Sequence, residues 1–504
     1  MKKLFKTAQK LLSLALTLLL AFAFLLTAFA EAAEGRNYTV DNPYADIDWD
    51  TWGDYKTQLH SHSNASDGYL TVKEYVAIHY ALDYDIVALT DHGTINKGWN
   101  VAPETVPLMR LIKYERSQMA PIEPLTEEEY QAYQDGTNEN RSYVTEGGIE
   151  LTRTKTNGML DVPKGIELNM ATPIADCHLT GYFSDYGQGL AGVFGDYETP
   201  SEKVREAGGI SFLSHVGEYV YTDKDSENYV GQPVDEYYAN KFARLFIDNQ
   251  GSSLGMGINS ASDAHTRCDR ILYDQILQKT IPNGVVPWAN TFADSHDELS
   301  VNDAYTMSWM PELTMEAFRT CLVKGQFFSV SHFSNGVELN GMEEIPGFDE
   351  SEVLESMSYL RDDTPQIKRI TVNEEADTIT VEAVNATQIT WISNGNVLKR
   401  EELTDGRATI DLDDDFGENE VYLYLRFYIT GDNGICYANP MVIHEEGVEF
   451  TPVEVPETHD VSTALRTIAT IFDIIFFKLS PIIWLFKYFA LGYNPVTPDR
   501  MNPF

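Results

Sequence analysis

Residues 55–68 read YKTQLHSHSNASDG, residues 71–84 read TVKEYVAIHYALDY, and residues 85–93 read DIVALTDHG. The mixed apolar and polar run ending at His60 predicts a strand. On an extended backbone, positions two apart face the same way, so His60 and His62 share a side. Val72, Tyr75, Val76, Ile78, Ala81 and Leu82 recur at helical spacing and predict a helix. Ile86–Leu89 predicts a buried strand that delivers Asp91 and His92 at its C-terminal end. Together these pieces make a β-α-β unit with parallel strands. Its histidines, and Asp67 in the turn-rich SNASDG, fall where the strands finish, which in βα barrels is the rim that carries chemistry.

Further along, VPKGIELN (162–169) is expected to place Glu167 at the end of a short apolar strand, where its two oxygens can bridge two cations. His178 falls in the alternating strand of CHLTGYF, and GGISFLSH ends a buried strand with His215. Two Asp-x-His pairs follow. Asp263 and His265 lie in a polar, turn-rich stretch, whereas Asp294 and His296 follow the apolar run Val285–Phe292. The second pair is therefore expected at a strand end, and the first in a rim loop within reach of substrate. Six of the eleven histidines belong to this set, which argues against scattered structural roles.

The HSH-to-TDH arrangement, the later GIELN strand and the closing D-x-H resemble the PHP family, named for polymerase and histidinol phosphatase. The resemblance implies an α/β fold, a distorted (β/α)7-type barrel over about residues 55–345. It also implies a hydrolytic site of two or three divalent metal ions. Carried over by position, His60, His62, Glu167 and Asp294 would hold one ion, and Asp67, His92 and His296 a second. His178 and His215 would hold a third, with Glu167 bridging. Imidazole and carboxylate donors suit zinc, manganese or iron without choosing among them. Asp91 is the expected partner that orients a liganding histidine. His215 is the candidate leaving-group acid, and Arg270 and Arg267 are candidate phosphate contacts, with a structural role as their alternative.

Outside the barrel, Lys2, Lys3, Lys6 and Lys10 precede an apolar run from Leu11 to Leu26, and Ala28-Phe29-Ala30 supplies small residues. This predicts an export signal over 1–30, with an uncleaved anchor as the alternative. Residues 31–54 are an acidic lead-in. The formal charge of -41 repels a polyanion, which disfavours nucleic acid as substrate. Cys177, Cys268, Cys321 and Cys436 are too dispersed for a disulfide scaffold, and Cys177 reads as a buried thiol before a ligand. Residues 93–161 exceed an ordinary barrel connection and form an insertion expected over the rim, as a lid or as a solvated decoration. After a linker at 346–366, the apolar period falls to two over 367–447, with turn signals at Asn394-Gly395 and Asp432-Asn433-Gly434. That pattern predicts a small all-β sandwich with a packing or a glycan-binding role. A second linker (448–460) leads to hydrophobic helices over 461–493, expected to associate with a membrane by spanning it or lying on it, and to a tail at 494–504.

The expected function is an exported metal-dependent phosphoesterase that directs a metal-bridging hydroxide at a small-molecule or glycan-linked phosphoester. Two alternatives stay open: a carboxyl-ester or carbamate hydrolase on the same site, and a non-enzymatic surface binding or assembly protein.

Overall fold

The computed structural model describes residues 36–105, 121–171, 176–189, 197–219, 233–259, 268–332, 363–417 and 420–457. The expected export signal, most of the 346–366 linker and the apolar segment 461–493 lie outside the described residues, as do Asp263, His265, Arg267 and the side chain of Cys177.

The opening β-α-β unit forms as expected. Strand Gly53–Gln58 runs parallel to Ile86–Val87, and helix Val72–Ala81 connects them. Thr71 starts the helix in a capping box with Glu74, and Val72, Tyr75, Val76 and Ile78 turn inward. Both strands are shorter than their apolar runs. The Gln58 side-chain oxygen accepts the backbone N–H groups of Leu59 and His60, so these leave the ladder before the histidines are reached. A side chain that competes for backbone donors ends regular pairing in this way.

Two sheets form the half that carries the expected site residues. In one, Ala304–Met310 pairs antiparallel with Gly53–Gln58, which continues through Ile86–Val87 to Leu160–Asp161. The other runs in spatial order Trp288–Asn290, Ser253–Gly257, Ile210–Leu213, Asp176–Tyr182, Ile166–Ala171. Only four residues separate Ala171 from Asp176, too few for a helical crossover, so these two strands pair antiparallel.

The expected closed barrel is not formed as a continuous ladder. Among the described residues, single bridges join the two sheets at the rim, Ser61 to Ser295 and His92 to Glu167, and both are parallel. Between the sheets lies an apolar layer containing Leu59, Ile86, Ala88, Val162, Phe212, Leu254 and Phe292. The fold is thus mixed α/β, with the sheets held together by side-chain burial below and by two bridges above.

The period-two region does form strands, from Gln366–Asn373 to Met441–Glu445. Asn394 and Gly395 both take positive φ (47° and 77°) in a two-residue hairpin turn, the conformation that favours an Asn-Gly pair. Gln366–Asn373, Thr378–Val384 and Arg407–Asp411 make a three-stranded sheet of their own. Gly434–Ala438 instead pairs with Phe327–Ser331 and extends the first sheet. The lead-in contributes too, since Tyr38–Asp41 pairs with Met441–Glu445.

In the insertion, Thr126 caps helix Glu127–Asp135, and Ser142–Val144 forms a hairpin with Glu150–Thr152. Its Arg153 donates to the Tyr80 and Tyr84 carbonyls, while the Glu146 N–H reaches Glu298 just past His296. The described insertion therefore runs along the flank of helix Val72–Ala81, from the rim to the opposite end. Among the described residues, no helix is long and apolar enough to cross a membrane.

Candidate metal centre

All nine expected ligands converge. His60 and His62 follow strand Gly53–Gln58, and the loop then turns tightly, with the Gly68 N–H donating to the Ser63 carbonyl at 2.9 Å. A Cβ on Gly68 would sit 2.1 Å from the His62 carbonyl oxygen, so the backbone can approach this closely only without a side chain. That turn brings Asp67 back beside His62. Backbone bonds fasten the neighbouring segments: the His62 N–H donates to Ser295 (2.8 Å), Tyr69 to His296 (2.6 Å) and Gly93 to Glu167 (3.0 Å). Glu167 lies near the start of strand Ile166–Ala171, not at a strand end as expected. The His92–Glu167 bridge brings it to the rim.

Glu167 is the hub, and it is fully buried. One carboxylate oxygen lies 3.3 Å from His60, 3.2 Å from His62 and 3.0 Å from His92; the other lies 3.1 Å from His178 and 3.5 Å from His215. Among the described residues, neither oxygen has a partner in good hydrogen-bond geometry. The Nε2 atoms of His60 and His62 face each other at 3.3 Å, and both reach Asp294 Oδ1, at 3.1 and 3.0 Å. Two imidazole nitrogens and two carboxylate oxygens share one space, and although His62 Nε2 lies within hydrogen-bond reach of Asp294 Oδ1 at 3.0 Å, one ring proton cannot serve all of these contacts. These atoms form a good donor set for a cation.

Three groups meet this description, each with donors within 4.8 Å of one another: His60, His62, Glu167 and Asp294; His62, Asp67, His92 and His296; and Glu167, His178 and His215. These donors fit divalent ions, because a buried carboxylate left without hydrogen bonds is costly unless a charge compensates it. His296 and His178 are the most open members, with side chains 21% and 16% exposed, so the centre opens on their side.

Electrostatics couple the cluster. Burial pushes the Glu167 carboxyl up, but the charges of His178, His60 and His92 outweigh it and hold the group well below the usual carboxylate range. Asp294 is lowered in the same way, with His60 and His296 the strongest influences against burial. Burial pushes the His92 imidazole down, yet Asp67 and Glu167 overcome it and lift the group to about 9. His60 falls below its ordinary value because burial prevails there.

Asp91 does not touch a histidine directly. It accepts the N–H and hydroxyl of Ser63 (2.9 and 2.8 Å) and of Ser66 (3.1 and 2.7 Å), and Ser66 Oγ lies 3.3 Å from His62 Nδ1. The link from Asp91 to His62 thus runs through the serines of the loop. Reasoning from the sequence passed over Ser61, Ser63 and Ser66. They are polar side chains among buried residues and must find partners, but they carry no spacing signal in the sequence. Ser61 donates to the Ala88 carbonyl and receives the Tyr75 hydroxyl.

Arg270 lies where its structural alternative would put it. It is buried at the start of helix Asp269–Thr280, where it donates to the Tyr437 hydroxyl at 3.2 Å and packs near the Tyr428 ring. Its described contacts belong to the C-terminal strands, and none is to the nine clustered residues.

No family profile matches the chain, and no curated protein sequence matches it. Among solved structures, it is similar to a two-domain protein from Bacteroides vulgatus containing a predicted PHP-like metal-dependent phosphoesterase. That match has 14% identity over 81% of this chain and 99% of the other, with a TM-score of 0.37. An amidohydrolase from Chromobacterium violaceum matches at 14% identity over 48% of this chain and 87% of the other, with a TM-score of 0.26. Endonuclease Q in complex with a 27-mer duplex substrate carrying an abasic lesion matches at 11% identity over 54% of this chain and 56% of the other, with a TM-score of 0.27. At these values the likenesses carry no argument, and the functional reading rests on the centre itself.

Proposed function

We propose that the chain is a metal-dependent hydrolase of the PHP type acting on a phosphoester, with His60, His62, Asp67, His92, Glu167, His178, His215, Asp294 and His296 as ligands of up to three divalent ions. The observation that carries this reading is Glu167, a buried carboxylate faced by five imidazoles at 3.0–3.5 Å, neither of whose oxygens has a partner in good hydrogen-bond geometry among the described residues. Divalent ions in such a set would supply Lewis-acid stabilisation of charge on the attacked centre and acidify water. The protein's own part is to preorganise. Glu167 and Asp294 keep their negative charge despite burial, and Asp91 holds the Ser63–Ser66 turn that presents His62 and Asp67. His215, in contact with both Glu167 and His178, is the group proposed to carry a proton to the leaving oxygen.

The acidity of the chain supports a small or glycan-linked phosphoester in preference to nucleic acid. The proposal includes export by the N-terminal segment and membrane association by residues 461–493. It also includes a packing role for a β-sandwich over 367–447.

The test is a panel of aryl phosphomonoesters, phosphodiesters and carboxyl esters, given to metal-reconstituted protein. Turnover of a phosphoester, abolished in His60→Ala, is the expected result. Turnover confined to carboxyl esters would replace the proposal with the esterase reading. Absence of turnover on every substrate would contradict both.

A further inference from the structure

The backbone at His215 is held where it would not rest by itself. His215 has φ of 27°, in the left-handed region that a residue with a Cβ avoids. Strain of this kind persists only where the surroundings over-determine it. Two hydrogen bonds do so. Before His215, the Ser214 N–H donates to the His178 carbonyl at 3.1 Å, tying together two histidines whose ring nitrogens are 3.3 Å apart. After it, the Gly217 N–H donates to Asp269 Oδ1 at 2.6 Å.

Asp269 is fully buried and is the first residue of helix Asp269–Thr280, so its carboxylate is as fixed as that helix. The helix is itself anchored. Asp274, one turn further on, accepts two hydrogen bonds from Arg426 (2.8 and 2.6 Å) and one from the Tyr424 hydroxyl (2.6 Å), all of them buried. Arg270 adds its bond to Tyr437. Strands Tyr424–Gly431 and Gly434–Ala438 thus hold the helix, the helix holds Asp269, and Asp269 holds the turn that follows His215.

We propose that Asp269 is a positioning residue for His215, keeping its imidazole on the group it shares with Glu167 and His178. The C-terminal strands supply the base against which it does so. This rests on the metal-centre reading above. An arm reaching an imidazole through the backbone separates loss of one ion from loss of the whole centre, because the other two donor groups do not contain His178 or His215.

The experiment is a cobalt(II) titration of the full chain, read by absorption and by elemental analysis, for wild type, Asp269→Ala, Asp269→Asn, His215→Ala and the Asp269→Ala/His215→Ala double variant. Asp269→Ala is expected to bind one equivalent fewer than wild type, as His215→Ala does, with no further loss in the double variant. Asp269→Asn keeps an acceptor oxygen and is expected to restore that equivalent with about tenfold weaker affinity. Full occupancy at wild-type affinity in Asp269→Ala overturns the proposal. Should the alanine variant fail to fold, wild-type affinity in Asp269→Asn overturns it equally. A wild-type chain that takes up no cobalt or other divalent ion would instead contradict the metal-centre reading from which the proposal starts.

Discussion

At the scale of single residues, the centre is a set of donors that make sense together and would be unfavourable apart. Asp91 illustrates how far the ordering extends beyond the ligands. Its two oxygens accept four hydrogen bonds from Ser63 and Ser66, so Asp91→Ala would release the loop carrying His62 and Asp67 without removing any ligand. The expected outcome is a 10- to 100-fold loss of metal affinity, measured by chelator competition, with the fold retained by circular dichroism. The nine clustered residues were legible in the sequence from their types and their order along the chain, though Glu167 was expected at a strand end and lies near a strand start. The serines were not, since a polar residue beside a histidine carries no spacing signature. Arg270 had two readings in the sequence, a phosphate contact and a structural role. A lone arginine near a rim loop reads as a phosphate contact, whereas burial against Tyr428 and Tyr437 decides its place.

At the scale of elements, local pattern predicted helices and strands well and their ends less well. The helix at 72–81 was legible from its apolar spacing. Strand Ile86–Val87 was read two residues too long, because apolar runs continue into the rim after pairing has stopped. Pairing between distant strands was not legible at all. Nothing in the sequence of Gly434–Ala438 announces that it joins Phe327–Ser331. The contact between helix Asp269–Thr280 and the C-terminal strands depends on the buried pair Asp274 and Arg426, both 2% exposed at the side chain. Removing one partner leaves a charge buried without compensation, so Arg426→Ala is expected to lower stability by about 3–5 kcal/mol in chemical denaturation. Replacing both with apolar residues of similar volume, Asp274→Leu with Arg426→Met, is expected to cost far less. An Arg426→Ala protein as stable as wild type would mean that this contact does not hold the two regions together.

At the scale of the whole molecule, two sheets closed by side-chain burial and two rim bridges enclose a cluster whose charge state responds to pH. In the metal-free protein His92 is lifted from 6.5 to about 9. Its contribution to stability is therefore complete below pH 6.5 and lost as pH rises through 9. Glu167 and Asp294 are lowered, so their contributions are present above their ordinary values of 4.5 and 3.8 and are lost as pH falls through the lowered ones. The His92 contribution to the metal-free protein should thus fade above pH 6.5, read as a Tm declining toward pH 9, while His60, held below its ordinary value by burial, costs stability as pH falls under 6.5. Metal loading must displace the His92 proton. It should weaken as pH falls and release protons at pH 7, detectable as a buffer-dependent enthalpy in calorimetry. A metal-free Tm that climbs steadily from pH 6.5 to 9 would contradict this assignment of charges.

The central claim is that Glu167 joins the donor groups into one metal centre. The most direct measurement is the divalent metal content of the purified full chain, wild type against Glu167→Ala, by elemental analysis after loading with excess zinc or manganese and removal of free ion. Wild type is predicted to retain two or three ions per chain. The variant is predicted to lose those ions held through Glu167, while the group of His62, Asp67, His92 and His296 keeps at most one. Equal metal content in the two proteins, or none in wild type, would contradict the account.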